Sequence, residues 1–306
     1  MILNYNAIMK KLLITLFILT LSFAAVQNST EASLISNRSY RAEQRQLNRQ
    51  NIKDIKNLFE IHTKYANEHD LKGLRTLYAD NYMNSDGFDK NAYFKSIEST
   101  WKDCNDLTYK TKILSINING DYASVNVEET ASGTVFESID SLPIAGEIHS
   151  KSQGIYHLTK INSKWYISAE TAITDESSLL YGDARFMNIE IQAPSQVSSG
   201  DEYTATVKVD ADKNTFIIGA IDRDPVTYPA SVPKSELRAM NKDQILERVL
   251  KANSDNINEY AVASLAISKV EHGKDTNSYK IYMSGLACVM KRINVIPKNN
   301  FIKIEE

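Results

Sequence analysis

Residues 109–129 read YKTKILSININGDYASVNVEE, and this stretch decides the fold class. Its hydrophobic period is two, the repeat of a strand whose successive side chains point to opposite faces. Leu107, Tyr109, Thr111 and Ile113 share one face, while Leu114, Ile116 and Ile118 share the other. The phase therefore slips by one at Ile113-Leu114, as a β-bulge makes it do, and bulges bend sheets. Asn119-Gly120-Asp121 reads as a hairpin turn. Ala123, Val125 and Val127 alternate on the return strand, and Glu129 continues their face as an acid in an apolar row.

On the N-terminal side the period becomes helical. Ile52, Ile55, Phe59, His62 and Ala66 form one stripe, with Leu58 and Tyr65 beside it. Asp70 is a suitable N-cap for a second helix over 71–78, with Leu74, Leu77 and Tyr78 on its buried side. A third helix is expected over 89–102, ridged by Tyr93, Phe94, Ile97 and Trp101. On the C-terminal side, 149–160 and 164–173 form a second hairpin through Ile161-Asn162-Ser163, with Tyr156, Leu158, Trp165 and Ile167 as apolar members.

The helix pair at 52–78, the hairpin at 109–129 and the closing strand Lys164-Trp165-Tyr166-Ile167-Ser168 resemble the nuclear transport factor 2-like superfamily. That is the α+β cone, three helices on a curved antiparallel sheet, shared with ketosteroid isomerase and polyketide-cyclase-like proteins. The resemblance spans 51–183 and implies that any site lies inside the cone. Isomerases of that group use a buried carboxylate as base, with a tyrosine and a protonated acid holding the enolate oxygen.

From Met187 onward short alternating strands follow one another: 187–191, 203–209, 216–221, 260–270, 279–283 and 286–295. This spacing, with the Pro194, Val197, Gly200, Tyr203 opening, resembles the immunoglobulin-like modules of exported bacterial proteins. An all-β immunoglobulin-like sandwich over 186–306 is the expectation. Residues 234–256 break the pattern: Leu237, Met240, Ile245, Leu246, Val249 and Leu250 suit a helical insertion between Pro225, Pro229, Pro233 and the last strands.

Composition bounds the rest. The chain has 306 residues, long enough for two domains at about 100–200 residues each. With 35 basic against 38 acidic residues, net −3, there is no basic surplus for nucleic acid. Two cysteines, Cys104 and Cys288, exclude a disulfide scaffold. Met9-Lys10-Lys11, the apolar run 12–21 and Ser22-Phe23-Ala24 follow the order of a cleavable signal peptide, 1–24, without a lipoprotein cysteine. The expected location is secreted or periplasmic, with no stable membrane insertion after cleavage. Residues 25–50 are a polar, flexible linker in composition.

No G-x-S-x-G elbow, P-loop, dinucleotide fingerprint or H-E-x-x-H is present, so no cofactor is implied. No metal is implied either: His149 and His157 lie eight apart on one strand, too far to share an ion. The inward-aimed candidates for a ligand pocket are His62, Tyr65, Tyr82, Glu129 and Tyr156. Glu129 or His62 would be the base if the site is catalytic, with Tyr65 or Tyr82 as hydrogen-bond donor. Three readings stay open: non-catalytic binding of a small apolar ligand or partner segment with the sandwich as an interaction module; an isomerase, dehydratase or cyclase; and a structural homodimer through the exposed sheet.

Overall fold

The computed structural model describes residues 43–139, 142–212, 214–227, 237–240, 243–272 and 279–298. The expected signal peptide and most of the linker lie outside them. The chain divides into two units after Ile55. The described part of the first is the opening of helix α1 (43–67), where Gln50 bonds Asp54 one turn on. Every described strand belongs to the second unit.

In that second unit α1 ends at Asn67, whose side chain is clamped to the backbone of Tyr109 through both its amide atoms, at 2.7 and 3.0 Å. Asp70 caps the one-and-a-half-turn α2 (Leu71–Arg75), accepting from the Gly73 amide at 2.9 Å. Asp89 caps α3 (Lys90–Asp103) in the same way. Between them the second helix stops earlier than its apolar pattern suggests. Tyr78 and Tyr82, both buried, instead belong to a strand, β1 (Tyr78–Asn84).

The long strands are β2 (Thr108–Asn119), β3 (Tyr122–Ile139), β4 (Leu142–Ile161) and β5 (Lys164–Gly182). They pair antiparallel in sequence order, and β1 adds to β5 in parallel. The hairpin at Asn119 closes on Gly120 at φ +60, and the register of β2 on β3 shifts between Ile113 and Ser115, where the hydrophobic phase slips. Two more irregularities lie between β4 and β5. His157 faces Ala169 while Leu158 faces Ile167, leaving Ser168 extra; Gln153 faces Thr174 while Gly154 faces Ala172, leaving Ile173 extra.

After a 3-10 turn (Asp183–Phe186) come β6 (Asn188–Gln192), β7 (Gln196–Ser198), β8 (Glu202–Asp210), β9 (Thr215–Pro225), β10 (Arg238–Ala239), β11 (Ile245–Lys251), β12 (Glu259–His272) and β13 (Tyr279–Ile296). Here the expected fold class, an α+β cone followed by an all-β immunoglobulin-like sandwich with a helical insertion, is overturned. The chain is mostly β, and one ten-stranded sheet, ordered β10-β9-β12-β13-β5-β4-β3-β2 with β1 and β7 at its side, takes strands from both halves. The joint is β5. Its second half pairs with β13 from Glu176↔Lys291 to Gly182↔Gly285. A second, three-stranded sheet, β11-β8-β6, packs its inner face on β9, β12 and β13. Val207, Ala205, Ala261, Ala263 and Ile267 are fully buried there. Each large apolar side chain so buried contributes about 1.5–3 kcal/mol.

The helical insertion is also corrected. Its described part holds strands β10 and β11, and 234–236 and 241–242 lie outside the described residues. Ile245-Leu246 and Val249-Leu250 fit a helix face, but Leu246, Arg248 and Leu250 also alternate with Ile245, Glu247 and Val249. A short apolar run is ambiguous by period alone. The edge of β8, open along Glu202–Lys208, resolves it by pairing.

Candidate functional site

Five strands, β1 to β5, and two helices, α1 and α3, aim polar groups into one interior. On β3, Val125 and Val127 are buried and Glu129 follows on their face. Its Oε2 accepts the Tyr156 hydroxyl at 2.8 Å and its Oε1 accepts Thr111 Oγ1 at 3.2 Å. Tyr156 on β4 stands directly across from Val125 on one side and Glu170 on the other. Glu170 therefore completes a row across the sheet, and sequence reasoning missed it. Trp165 and Ile167 mark the inward face of β5, and strict alternation would point Glu170 outward. The extra residue Ser168 restores it to the inner face.

Burial is the main reason that Glu170 holds its proton more firmly than an ordinary glutamate, and the negative charge of Glu129 adds to it. Hydroxyls of Tyr78, Tyr93 and Tyr82 pull the other way, and the carboxyl is pushed up to about 8. Tyr82 lies close enough for its own ionisation to be opposed by Glu170. Yet neither Tyr82 Oη nor Glu170 Oε1, both buried, has a partner in good hydrogen-bond geometry. The two groups interact with each other without that geometry.

His62 projects from α1 into the same interior. Its Nε2 lies 2.9 Å from the Tyr78 hydroxyl, while Nδ1 is buried without a partner. Burial depresses its pKa, with the Glu129 charge opposing, so the ring is held neutral. Aromatic rings fill the space between: Phe59 meets Tyr156 edge-on at 5.2 Å, Tyr78 meets Tyr82 at 5.0 Å, and Tyr82 meets Tyr93 at 5.2 Å.

Of the sequence candidates, the structure brings His62, Tyr82, Glu129 and Tyr156 together. Tyr65 stands apart, with its ring against Gly73 of α2, where an added Cβ would lie 3.0 Å from Cδ1. Tyr78, Tyr93 and Glu170 join the cluster without having been singled out for it.

A cavity of about 90 Å³ opens beside the two glutamates, walled by Glu129, Tyr156 and Glu170, and by Asn84 and Asp86 at the β1–α3 turn. A much larger depression, about 940 Å³, lies against β8 and β9, lined by Asp210, Asp212, Asp243 and Phe216. In it Asp210 accepts from Asn188 at 3.3 Å and faces Lys208 at 3.7 Å. The buried titratable cluster is at the smaller cavity. Among the described residues no three metal-ligating side chains converge, and no helix is long and apolar enough to cross a membrane.

The sequence matches no protein-family model and no curated protein. Solved structures similar to the chain include a protein assigned as a scytalone dehydratase from Novosphingobium aromaticivorans, with 14% identity and a TM-score of 0.35 over 41% of this chain and 84% of that one. Another is a hexachlorocyclohexane dehydrochlorinase of the LinA-type3 kind from Novosphingobium barchaimii, with 12% identity and a TM-score of 0.32 over 42% and 88%. A third, assigned as a dehydratase of the nuclear transport factor 2-like family from Streptomyces avermitilis, has 10% identity and a TM-score of 0.30 over 40% and 95%. These neighbours are nuclear transport factor 2-like proteins, and they overlap the N-terminal part only. What the site can do is set by this chain's own residues.

Proposed function

We propose that the pocket between Glu129 and Glu170 is an acid–base site that exchanges a proton with a small molecule, the chemistry of isomerases and dehydratases. The observation that carries this reading is Glu170 itself, a carboxyl at the cavity wall whose pKa of about 8 lies close to working pH. A group so poised gives and takes a proton with comparable ease. Glu129, tied to Tyr156 and Thr111, tunes Glu170 by charge, and the hydroxyls of Tyr78, Tyr82 and Tyr93 stand against the Glu170 carboxyl. Export belongs to the same proposal and is supported by residues 9–24 alone. Its check is N-terminal sequencing of the chain recovered outside the cytoplasm, which should begin at Ala25.

The test is proton exchange from a small enolisable carbonyl compound such as acetone in deuterated water, followed by proton NMR. The wild-type chain should accelerate loss of the methyl signal, and Glu170→Gln should lose about 100-fold or more of that acceleration. A variant as fast as wild type, or no acceleration at all, overturns the reading.

A further inference from the structure

We infer that the open edge of β11 is where a second copy of this chain docks, antiparallel and edge to edge, so that the three-stranded sheet of one protomer continues into that of its partner. The ladder between β11 and β8 shows which side is free. Val209 donates its amide to the Gln244 carbonyl at one end, and Ala252 donates to the Asp201 carbonyl at the other. Bonds in an antiparallel ladder come at every second residue, so Leu246, Arg248 and Leu250 direct their backbone groups to β8. The N–H and C=O groups of Ile245, Glu247, Val249 and Lys251 point the other way. Strand β11 is the last of its sheet, and among the described residues no backbone group meets them.

Alternation puts the side chains of the same four residues on the outer face of that sheet. Ile245 is 38% and Val249 59% exposed there, and Glu247 and Lys251 are exposed with them. On the β8 side Glu247 stands opposite Thr206 and Lys251 opposite Glu202, and among the described residues neither charge closes an ion pair. Sheet edges are usually blunted by charge or by a covering group. The edge of β2 is closed in that way at Tyr109, whose N–H and C=O are both taken by Asn67. On β11 the inward charge, Arg248, is already held by Asp222 and the Ile221 carbonyl, so it leaves the outer edge uncovered.

The order of charges selects the occupant and its register. A twofold axis at Val249 sets Val249 against its own counterpart, Glu247 against the partner's Lys251, and Lys251 against the partner's Glu247. The edge is thereby its own complement, as a twofold contact requires. Pairing of the outward backbone groups adds about six hydrogen bonds, two at each of the three facing pairs. An axis at Glu247 would oppose like charges, and one at Arg248 would set Glu247 against Val249, so neither matches the sequence of the strand. The contact is small, and the dimer is accordingly weak, with a dissociation constant of about 10–100 µM.

The test is sedimentation velocity of the full chain at concentrations from about 1 µM to about 1 mM, where a shift from monomer to dimer is expected. Glu247→Lys and Lys251→Glu each set like charges opposite one another, and each should weaken the dimer about tenfold. The two variants mixed in equal amounts should pair with each other as well as the wild-type chain pairs with itself, because every facing pair is then opposite in sign. In the wild-type chain, the amide protons of Glu247, Val249 and Lys251 should exchange more slowly as the dimer forms, while those of Leu246, Arg248 and Leu250 stay as they are. A chain that is monomeric throughout overturns the proposal. A dimer that neither reversal weakens, or variants that fail to pair when mixed, overturns it equally, since the copies would then meet elsewhere.

Discussion

Arg292 on β13 grips Asp86, 206 residues earlier in the chain, through two hydrogen bonds, Nη2 to Oδ1 at 2.6 Å and Nη1 to Oδ2 at 3.1 Å. The side chains are 2% and 9% exposed, and Asn258 adds a third donor to Asp86 at 2.7 Å. Asp86 lines the cavity that holds Glu170. The last described strand thus fixes the mouth of a pocket built by the first strands. Asn294 does likewise, donating at 2.8 Å to the carbonyl of the extra residue Ile173.

Arg292→Met should therefore be strongly destabilising, by about 3–5 kcal/mol, because it leaves a buried carboxylate without its cation. Adding Asp86→Asn should recover a large part of the loss, since the stranded charge goes with it. Urea unfolding of the two single variants and the double variant checks both expectations; additive losses would mean the pair does not interact.

The protonation of Glu170 makes a signed prediction for stability. Its folded pKa, about 8, stands above the ordinary 4.5, so between these values the folded chain binds more protons than the unfolded one. The stabilisation is complete below about 4.5 and is lost as pH rises through about 8, by at most roughly 1.4 kcal/mol per pH unit. Glu170→Gln should flatten that decline. Denaturant midpoints of the two chains, compared across this window, should diverge in slope; parallel curves would mean that Glu170 titrates normally.

Strand β11 can be distinguished from a helix by two adjacent residues. Leu250 is 7% exposed and Val249 59%. Leu250→Ala should cost about 2–5 kcal/mol, whereas Val249→Thr should fall within about 0.5 kcal/mol of wild type. Equal losses at both positions would contradict the pairing of β11 with β8.

Gly182 ends β5 at φ +56, and a Cβ there would press on the Ser284 carbonyl. Gly182→Ala should lower stability by about 1–3 kcal/mol through backbone strain and crowding together. Thermal melting measures it, and an unchanged midpoint would show that the turn relaxes.

Much of this was legible in the residues and some was not, for identifiable reasons. The slip at Ile113-Leu114 announces the shifted register, and the alternation through Val125 and Val127 points Glu129 inward. Asp70 caps its helix as its neighbours suggest. Glu170 was hidden because one inserted residue, Ser168, reverses the parity of everything after Ile167. Tyr78 was read into a helix because Leu74, Leu77 and Tyr78 suit a helical face, while its parallel pairing to Ile167 is a contact 89 positions away that no local pattern carries. The same holds for β11, and for β5 meeting β13: period fixes which face of a segment is apolar, but partner choice between distant strands is decided by what else the folded sheet leaves uncovered.

That shared strand has a practical consequence for anyone cutting the gene. A fragment stopping at Phe186 would keep Glu170 and its neighbours yet strip the partner from seven consecutive residues of β5, Glu176–Gly182. Such a bare margin recruits other copies by the same ladder that β13 normally supplies. The shortened polypeptide should come out of expression as aggregates, and a synthetic peptide copying 285–291 should bring part of it back into solution.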